Sequence, residues 1–250
     1  LEEQLDREII NTYSNLNRWE KVQLARHPFR PHAIDYIENI VENWLELHGD
    51  RKFADDKSII TGFGVIGNIK CAIIAQEKGK NTKDRVFRNF GMPKPEGYRK
   101  ALRIMKLAEK FNIPIVSFID TPGAYPGIGA EERGQSQAIA DNLINMSTIS
   151  VPTISLVIGE GASGGALAIG LSDRIICLEN SWYSVISPEG CASILFADTS
   201  KNKEAAESLK LTSKDLYEMN IADIIIEEPL GGIHHKPKEV YEKIVTVICK

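Results

Sequence analysis

A glycine-rich segment at residues 159–170 has the residue types and the spacing of a backbone anion site. It follows the apolar, β-branched run 151–158 and precedes small residues that are typical of a tightly packed helix. A turn of this kind at a strand end points bare N–H groups into a crevice, and its glycines let a ligand oxygen approach closely. Three chemistries fit this one segment.

The first is dinucleotide binding. Gly159, Gly161 and Gly164 match the spacing G-x-G-x-x-G between a strand and a helix, and Glu179 ends the next predicted strand, where a ribose-binding acid is expected. Such a fingerprint usually opens its domain, whereas two strands and two helices are predicted ahead of it here.

The second is serine hydrolysis. Gly161, Ser163 and Gly165 match G-x-S-x-G, and candidate partners follow in the required order: Asp173, Asp223 and His234. The pattern is short, and two neighbouring histidines after Gly231 and Gly232 are typical of a solvated loop.

The third needs no reactive side chain. The amides of Gly164 and Gly165 at a helix N-terminus can form an oxyanion hole, and a Cβ at Gly165 is expected to block the ligand. Close packing of the helix on the sheet is the plainer alternative. A second glycine-rich turn, 120–129, follows another buried strand, so Gly123 or Ala124 is expected to complete the hole across the crevice.

Positive charge is concentrated between residues 78 and 110. This segment has eleven Lys or Arg residues against three acidic residues, in a chain whose net charge is -4. A solvated helix face accounts for part of that excess. The remainder suits the phosphates of coenzyme A or contact with another subunit, and Lys78, Lys80 and Arg99 are the candidates.

The bulk properties exclude several other classes. The chain has 250 residues, 43% of them hydrophobic, which suits one α/β domain with a helical appendage. No run is long and apolar enough to span a membrane, and the net charge gives no case for nucleic acid or a membrane surface. The four cysteines and five histidines lack metal-ligand spacing, so we expect no metal, free thiols and a cytoplasmic location. Because residue 1 is Leu, we expect a longer natural chain.

Hydrophobic periodicity predicts alternating strands and helices. We expect a peripheral helix within residues 1–30, a helix through residues 37–45, a hairpin of strands 58–66 and 69–76, and helices near 98–108 and 131–146. Further strands are predicted at 113–119, 151–158, 174–178, 183–186 and 224–226, with capped helices after Thr212 and Pro237. Because a two-stranded hairpin precedes a crossover helix, the predicted order of elements is closer to a ββα repeat than to a βαβ repeat.

Longer segments carry a family resemblance. The chain resembles the α subunits of the carboxyltransferase of bacterial-type acetyl-coenzyme A carboxylase, for example in RNFGMP at 88–93, PEGYRKAL at 95–102 and FIDTPGAYPG at 118–127. Similar segments lie at 25–28, 49–51, 129–135, 159–170, 183–195 and 228–232, and relatives often have Gly where Ala162 stands. The resemblance implies an α/β, crotonase-like spiral of ββα units over residues 51–250, with residues 1–50 as a helical segment and further flanking helices.

The resemblance also implies an activity and its partners. The expected reaction moves a carboxyl group from carboxybiotin on a carrier protein to acetyl-coenzyme A, giving malonyl-coenzyme A for fatty-acid synthesis. The implied partners are a zinc-bearing β subunit in an α2β2 heterotetramer, the biotin carboxyl carrier protein and biotin carboxylase. Amides of Gly164 and Gly165 would stabilise the biotin anion, with Gly161, Ser163, Tyr125 and Pro126 around it. A crotonase-like acyl-coenzyme A hydratase or hydrolase, a Rossmann-type NAD-binding protein and a non-enzymic nucleotide-binding scaffold remain alternatives.

Overall fold

The computed structural model describes residues 2–250, without the side chains of residues 2, 3, 5 and 6. One eight-stranded sheet forms its centre, with the strand order β1-β2-β3-β4-β5-β6-β8, and β7 pairs with the end of β5. The strands are β1 (Glu42–Glu46), β2 (Ile59–Ile66), β3 (Ile69–Gln76), β4 (Ile115–Thr121), β5 (Thr153–Ala162), β6 (Arg174–Leu178), β7 (Trp182–Ser184) and β8 (Ile224–Ile226). The pairs β1–β2 and β2–β3 are antiparallel, and the remaining pairs are parallel.

Twelve α-helices are present within residues 2–250, and most of them flank this sheet. They are α1 (Glu2–Ser14), α2 (Arg18–Ala25), α3 (Ala33–Ile40), α4 (Thr82–Phe87), α5 (Pro95–Lys110), α6 (Ile128–Glu132), α7 (Gln135–Met146), α8 (Ser163–Gly170), α9 (Pro188–Phe196), α10 (Asn202–Leu209), α11 (Ser213–Glu218) and α12 (Pro237–Ile248). No helix described here is long and apolar enough to cross a bilayer.

Alternation along the strands produces two apolar layers. Phe118 and Ile158 point to the layer that α3 and α12 cover, whereas Ile119 and Val157 point to the layer that α5, α7 and α8 cover. Successive strand side chains face opposite sides, so a strand buried on both faces reads as a continuous apolar run. A polar residue that follows such a run in the sequence lies at the carboxyl end of its strand, and thus at that edge of the sheet.

Most predicted elements are confirmed, and several boundaries are wrong. The hairpin 59–76, the strands at 115, 174 and 224, and the helices after Thr212 and Pro237 are present. The predicted helix through residues 37–45 is wrong, because α3 ends at Ile40 and residues 42–46 form β1. Residues 1–50 are thus not wholly helical, and the division at residue 50 stays a prediction. The predicted helix 131–146 is two helices, separated at Gly134, whose φ is +78°.

A stack of three histidines joins the segment after α2 to the loop before α12. The His27 and His234 rings are parallel with centroids 3.9 Å apart, and the His235 centroid lies 4.3 Å from that of His234. Burial, with nearby His27 and His235, lowers the pKa of His234 to about 4. Burial also lowers the pKa of His27, so the parallel pair His27–His234 favours neutral imidazoles.

Acid should weaken this stack. The pKa of His234 is lower in the fold than in the unfolded chain, near 6.5, so its contribution to stability is complete above pH 6.5 and is lost as pH falls towards 4. Because the site is only half-buried, we expect a loss of roughly 1 kcal/mol in unfolding free energy. Urea unfolding across that range should show a flatter pH slope for His234→Gln than for wild type. The control His48→Gln, at an exposed site, should retain the wild-type slope, and an unchanged slope in His234→Gln would contradict the assignment.

Candidate functional site

The crevice forms where β5 passes into α8. β5 continues to Ala162, and Ser163 turns the chain with a φ of +59°. The first amides of a helix have no intrahelical acceptor, and Ala162 at the N-cap supplies no side-chain hydrogen bond. The amides of Ser163, Gly164 and Gly165 are therefore oriented to receive a negative oxygen from outside the helix.

The second loop approaches α8 without any side chain between them. A Cβ built on Gly165 would lie 2.6 Å from the Gly123 carbonyl carbon and 2.9 Å from the Gly123 Cα, and it would also collide with the Ala124 nitrogen. The expectation that Gly165 is bare to admit a ligand is therefore wrong: it is bare because loop 121–124 lies against it. The two predicted turns do meet in one crevice, as the sequence indicated.

The predicted amide donors differ in availability. Gly123 N–H donates to Thr121 Oγ1 at 3.1 Å, which leaves Ala124, whose N–H has no hydrogen-bond partner among the described residues. Gly164 is half-buried and lines a cavity, whereas Gly165 is buried. Of the four predicted donors, Ala124 and Gly164 are thus the two that are partly exposed, and neither amide has a hydrogen-bond partner outside α8 among the described residues.

An apolar cavity of about 240 Å³ opens beside Ser163 and Gly164. The other lining residues are Leu167, Tyr183, Ser184, Val185, Leu216 and Ile221. Apart from Leu167 on α8, these residues belong to β7, α11 and the segments that follow them. No sequence pattern connects those parts of the chain to residue 164, so they could not be predicted as lining residues. Tyr125 and Pro126 lie on the second loop but outside this described lining. Gly161 is covered, since a Cβ there would meet the Tyr183 ring.

Neither of the side-chain chemistries is assembled. Gly159 and Gly161 lie inside β5 rather than in a turn, so the dinucleotide fingerprint has no loop to hold a pyrophosphate. Asp173 accepts hydrogen bonds from Thr153 at the first residue of β5, and Asp223 pairs with Arg174 at the first residue of β6. At about 3.3 Å per residue, the length of β5 separates Asp173 from Ser163.

Ser163→Ala should therefore retain activity within about threefold of wild type. Its hydroxyl makes no hydrogen bond among the described residues, and an oxyanion role belongs to main-chain N–H groups, which the substitution keeps. Turnover by the variant in complex with the β subunit that the resemblance implies measures this. A folded but inactive Ser163→Ala protein would restore the hydrolase alternative.

The three predicted phosphate ligands are all paired with carboxylates. Lys78 Nζ lies 2.6 Å from Asp120 and 2.5 Å from Glu160, Lys80 Nζ lies 2.5 Å from Asp35, and Arg99 Nε lies 2.8 Å from Asp50. Four of the eleven cations between residues 78 and 110 thus pair with acids from elsewhere in the chain: Lys78, Lys80, Arg99 and Lys100. This pairing opposes the interpretation of Lys78, Lys80 and Arg99 as free cations.

The Lys78 contacts belong to a buried ionic cluster at the carboxyl ends of β3, β4 and β5. Glu160 also pairs with Arg26, at 2.5 Å, and Arg26 continues to Glu189. Burial alone would raise the pKa of Glu160, but Lys78 and Arg26 hold it below its usual value. Burial opposes the charge on Lys78 as well, yet Asp120 and Glu160 raise its pKa. The cluster therefore joins the strand ends as charged pairs.

Comparison with known proteins identifies the class. The transcarboxylase 12S structure superposes with a TM-score of 0.67 at 23% identity, over 90% of this chain and 44% of that one. The β subunit of geranyl-CoA carboxylase from P. aeruginosa gives a TM-score of 0.67 at 18% identity, over 93% of this chain and 44% of the other. These likenesses show the fold: the chain has the crotonase-like fold of the carboxyltransferases.

Sequence similarity then identifies the family. The family described as acetyl co-enzyme A carboxylase carboxyltransferase-like matches residues 1–250. Relatives named acetyl-coenzyme A carboxylase carboxyl transferase subunit alpha include one from Aquifex aeolicus, 56% identical over 90% of this chain and 70% of its own length. Another, from Vesicomyosocius okutanii, is 60% identical over 95% of this chain and 74% of its own. The chain belongs to this family, and it is the carboxyltransferase α subunit that acts on acetyl-coenzyme A.

Proposed function

We propose that this chain binds the biotin end of the reaction and stabilises the negative oxygen of the biotin ring with the amides of Gly164 and Ala124. The observation that carries the proposal is that the Gly164 amide lines an apolar cavity while the unpaired Ala124 amide lies against the next residue, Gly165. A cyclic urea on a hydrocarbon frame suits such a site, because its ring needs apolar walls and its carbonyl needs donors.

Bound carboxybiotin would supply the carboxyl group, with acetyl-coenzyme A as acceptor and malonyl-coenzyme A as product. The chain's own contribution is fixed N–H groups that bind a charged oxygen more strongly than a neutral one, which favours the transition state over the ground state. Leu167, Val185 and Ile221 give the cavity apolar walls beside the Gly164 amide. We expect no metal in this chain's part of the reaction.

The rim of the cavity supports a shared active site with a zinc-bearing β subunit. Of the apolar residues that line the cavity, Val185 is 82% exposed, Ile221 43% and Leu167 40%. Exposed apolar side chains around a binding cavity are typical of a protein interface. We further propose that the two subunits form an α2β2 heterotetramer. This complex would receive carboxybiotin on a biotin carboxyl carrier protein, which biotin carboxylase carboxylates, and all of these proteins would lie in the cytoplasm.

Reconstitution with a β subunit tests this proposal. The chain and the zinc-bearing subunit should co-purify, and the complex should decarboxylate malonyl-coenzyme A in the presence of free biotin, whereas either subunit alone should not. Val185→Asp should prevent co-purification without lowering the melting temperature. Phe111→Asp, at a 60% exposed site just after the last residue of α5, should not affect it. A chain that is fully active alone would overturn the shared site.

A further inference from the structure

Two hydrogen bonds from one buried side chain connect the two halves of the crevice. Gln76, the last residue of β3, is 0% exposed. Its Nε2 donates to the Gly165 carbonyl at 2.8 Å, and its Oε1 accepts from the Asp120 N–H at 3.2 Å. Gly165 lies in the first turn of α8, and Asp120 immediately precedes the loop that carries Ala124.

This position leaves Gln76 little freedom. Ile74, two residues earlier, packs into the layer beneath α5 and α8, so the alternation of β3 places Gln76 on the same face, directly below the first turn of α8. The Tyr98 hydroxyl donates to the same Gly165 carbonyl at a longer 3.4 Å. Gln76 therefore makes the shorter of the two side-chain hydrogen bonds to that carbonyl, and it also accepts a hydrogen bond from Asp120 on β4.

We propose that Gln76 is a positioning residue for carboxyl transfer, which fixes the separation of the Gly164 and Ala124 amides through its bonds to Gly165 and Asp120. The inference rests on the proposed function of those amides. An oxyanion hole works through donors that are already oriented before charge develops, so a small change in their separation lowers the rate more than it lowers substrate binding.

The chain provides a matched control at the other end of the same helix. Asn142 on α7 is also 0% exposed, and its Nδ2 donates to the Ala168 carbonyl at 3.0 Å. Both contacts join a buried side-chain amide to an α8 carbonyl. Only the Gln76 contact lies in the first turn, beside the crevice.

The experiment compares Gln76→Met with Asn142→Leu in the reconstituted complex with the β subunit. Both variants should lower the melting temperature of the α chain by similar amounts, since each leaves buried polar groups without a partner. Gln76→Met should lower kcat about 100-fold, in the range seen for loss of an oxyanion donor, with KM for malonyl-coenzyme A within threefold. Asn142→Leu should keep kcat within threefold. Equal kcat in the two variants would overturn the proposal.

A second measurement does not depend on activity. Hydrogen–deuterium exchange of the backbone amides at 123–124 and 164–165 should be faster in Gln76→Met than in wild type, and unchanged there in Asn142→Leu. If wild-type complex shows no carboxyl transfer, the proposed function fails, and the exchange rates still decide whether Gln76 orders the crevice. If Gln76→Met does not fold, Gln76→Glu serves, assayed at a pH where its carboxyl is ionised: it then keeps an acceptor for Asp120 but has no donor for Gly165, and it should show the same loss of kcat. Wild-type kcat in Gln76→Glu would contradict the proposal.

Discussion

Gly165→Ala should reduce carboxyl transfer by at least about 100-fold. The new Cβ would lie 2.6 Å from the Gly123 carbonyl carbon, and main chain on both sides leaves no flexible side chain to move away. The first turn of α8 and loop 121–124 must then separate, which misplaces the amides proposed to stabilise the charged oxygen. Overpacking of this kind also costs about 1–3 kcal/mol of unfolding free energy.

The neighbouring glycine provides the comparison for stability. A Cβ on Gly164 would lie 3.8 Å from Ile139, which is ordinary van der Waals contact. Because alanine favours a helix over glycine, Gly164→Ala should melt at or slightly above the wild-type temperature. Thermal unfolding of both variants, with turnover measured in the reconstituted complex, tests the contrast. A Gly165→Ala enzyme with wild-type kcat would show that the close approach of α8 and loop 121–124 is unimportant for turnover.

Lys78→Met should be the most destabilising single change at the charged edge of the sheet. The Lys78 side chain is 14% exposed, and it lies between Asp120 and Glu160, which are 6% and 7% exposed. Removing the cation leaves two buried carboxylates facing each other, and breaking a buried pair in this way costs roughly 3–5 kcal/mol. Urea unfolding at pH 7 measures the loss.

The pH dependence of Lys78→Met has a definite sign. In wild type, Lys78 and Arg26 keep the pKa of Glu160 low, so this carboxylate contributes stability above its unfolded pKa, near 4.3, and loses it as pH falls. Without Lys78, the pKa of Glu160 should rise, and protonation should relieve the repulsion. The difference in unfolding free energy between Lys78→Met and wild type should therefore become smaller as pH falls from 7 to 4.

Lys80→Met separates this structural role from a ligand-binding role. The side chain of Lys80 is 53% exposed, and an exposed pair such as Lys80–Asp35 contributes about 0–1 kcal/mol. Its melting temperature should hardly change. If Lys78 and Lys80 instead bound coenzyme phosphates, both variants would raise KM for the acyl-coenzyme A and neither would unfold.

Sequence patterns predicted those helices, strands and turns that are determined by neighbouring residues in the chain. The hairpin turn at Gly67, the capping box of Thr212 and Asp215, and the apolar runs of β4 and β6 are all present. Residues 42–46 were assigned wrongly because Trp44 and Leu45 coincide with a helical spacing. In the fold, Gly62 and Gly64 on β2 leave room for Trp44 and Val41, so the tertiary pairing decides the conformation.

The meeting of the two glycine-rich turns is confirmed, whereas the roles given to their residues stay predictions. The two glycine-rich turns identified the crevice, because strand ends at one sheet edge must meet. Gly159 and Gly161 were misassigned to the turn, since in the fold they make room for Asp120 and Tyr183. Gln76 gave only a weak signal, a polar residue that ends an apolar strand, and its partners lie on segments that no local pattern connects.

The hydrogen bond from Gln76 to Gly165 spans 89 residues of chain. Contacts of such long range form slowly, because the loop-closure entropy must be overcome before they contribute. During translation, Gln76 leaves the ribosome well before α8 has been synthesised, so its side chain has no Gly165 carbonyl to bind at that time. The contact between β3 and α8 is consequently expected late in folding, and a nascent chain that stops before residue 165 cannot form it.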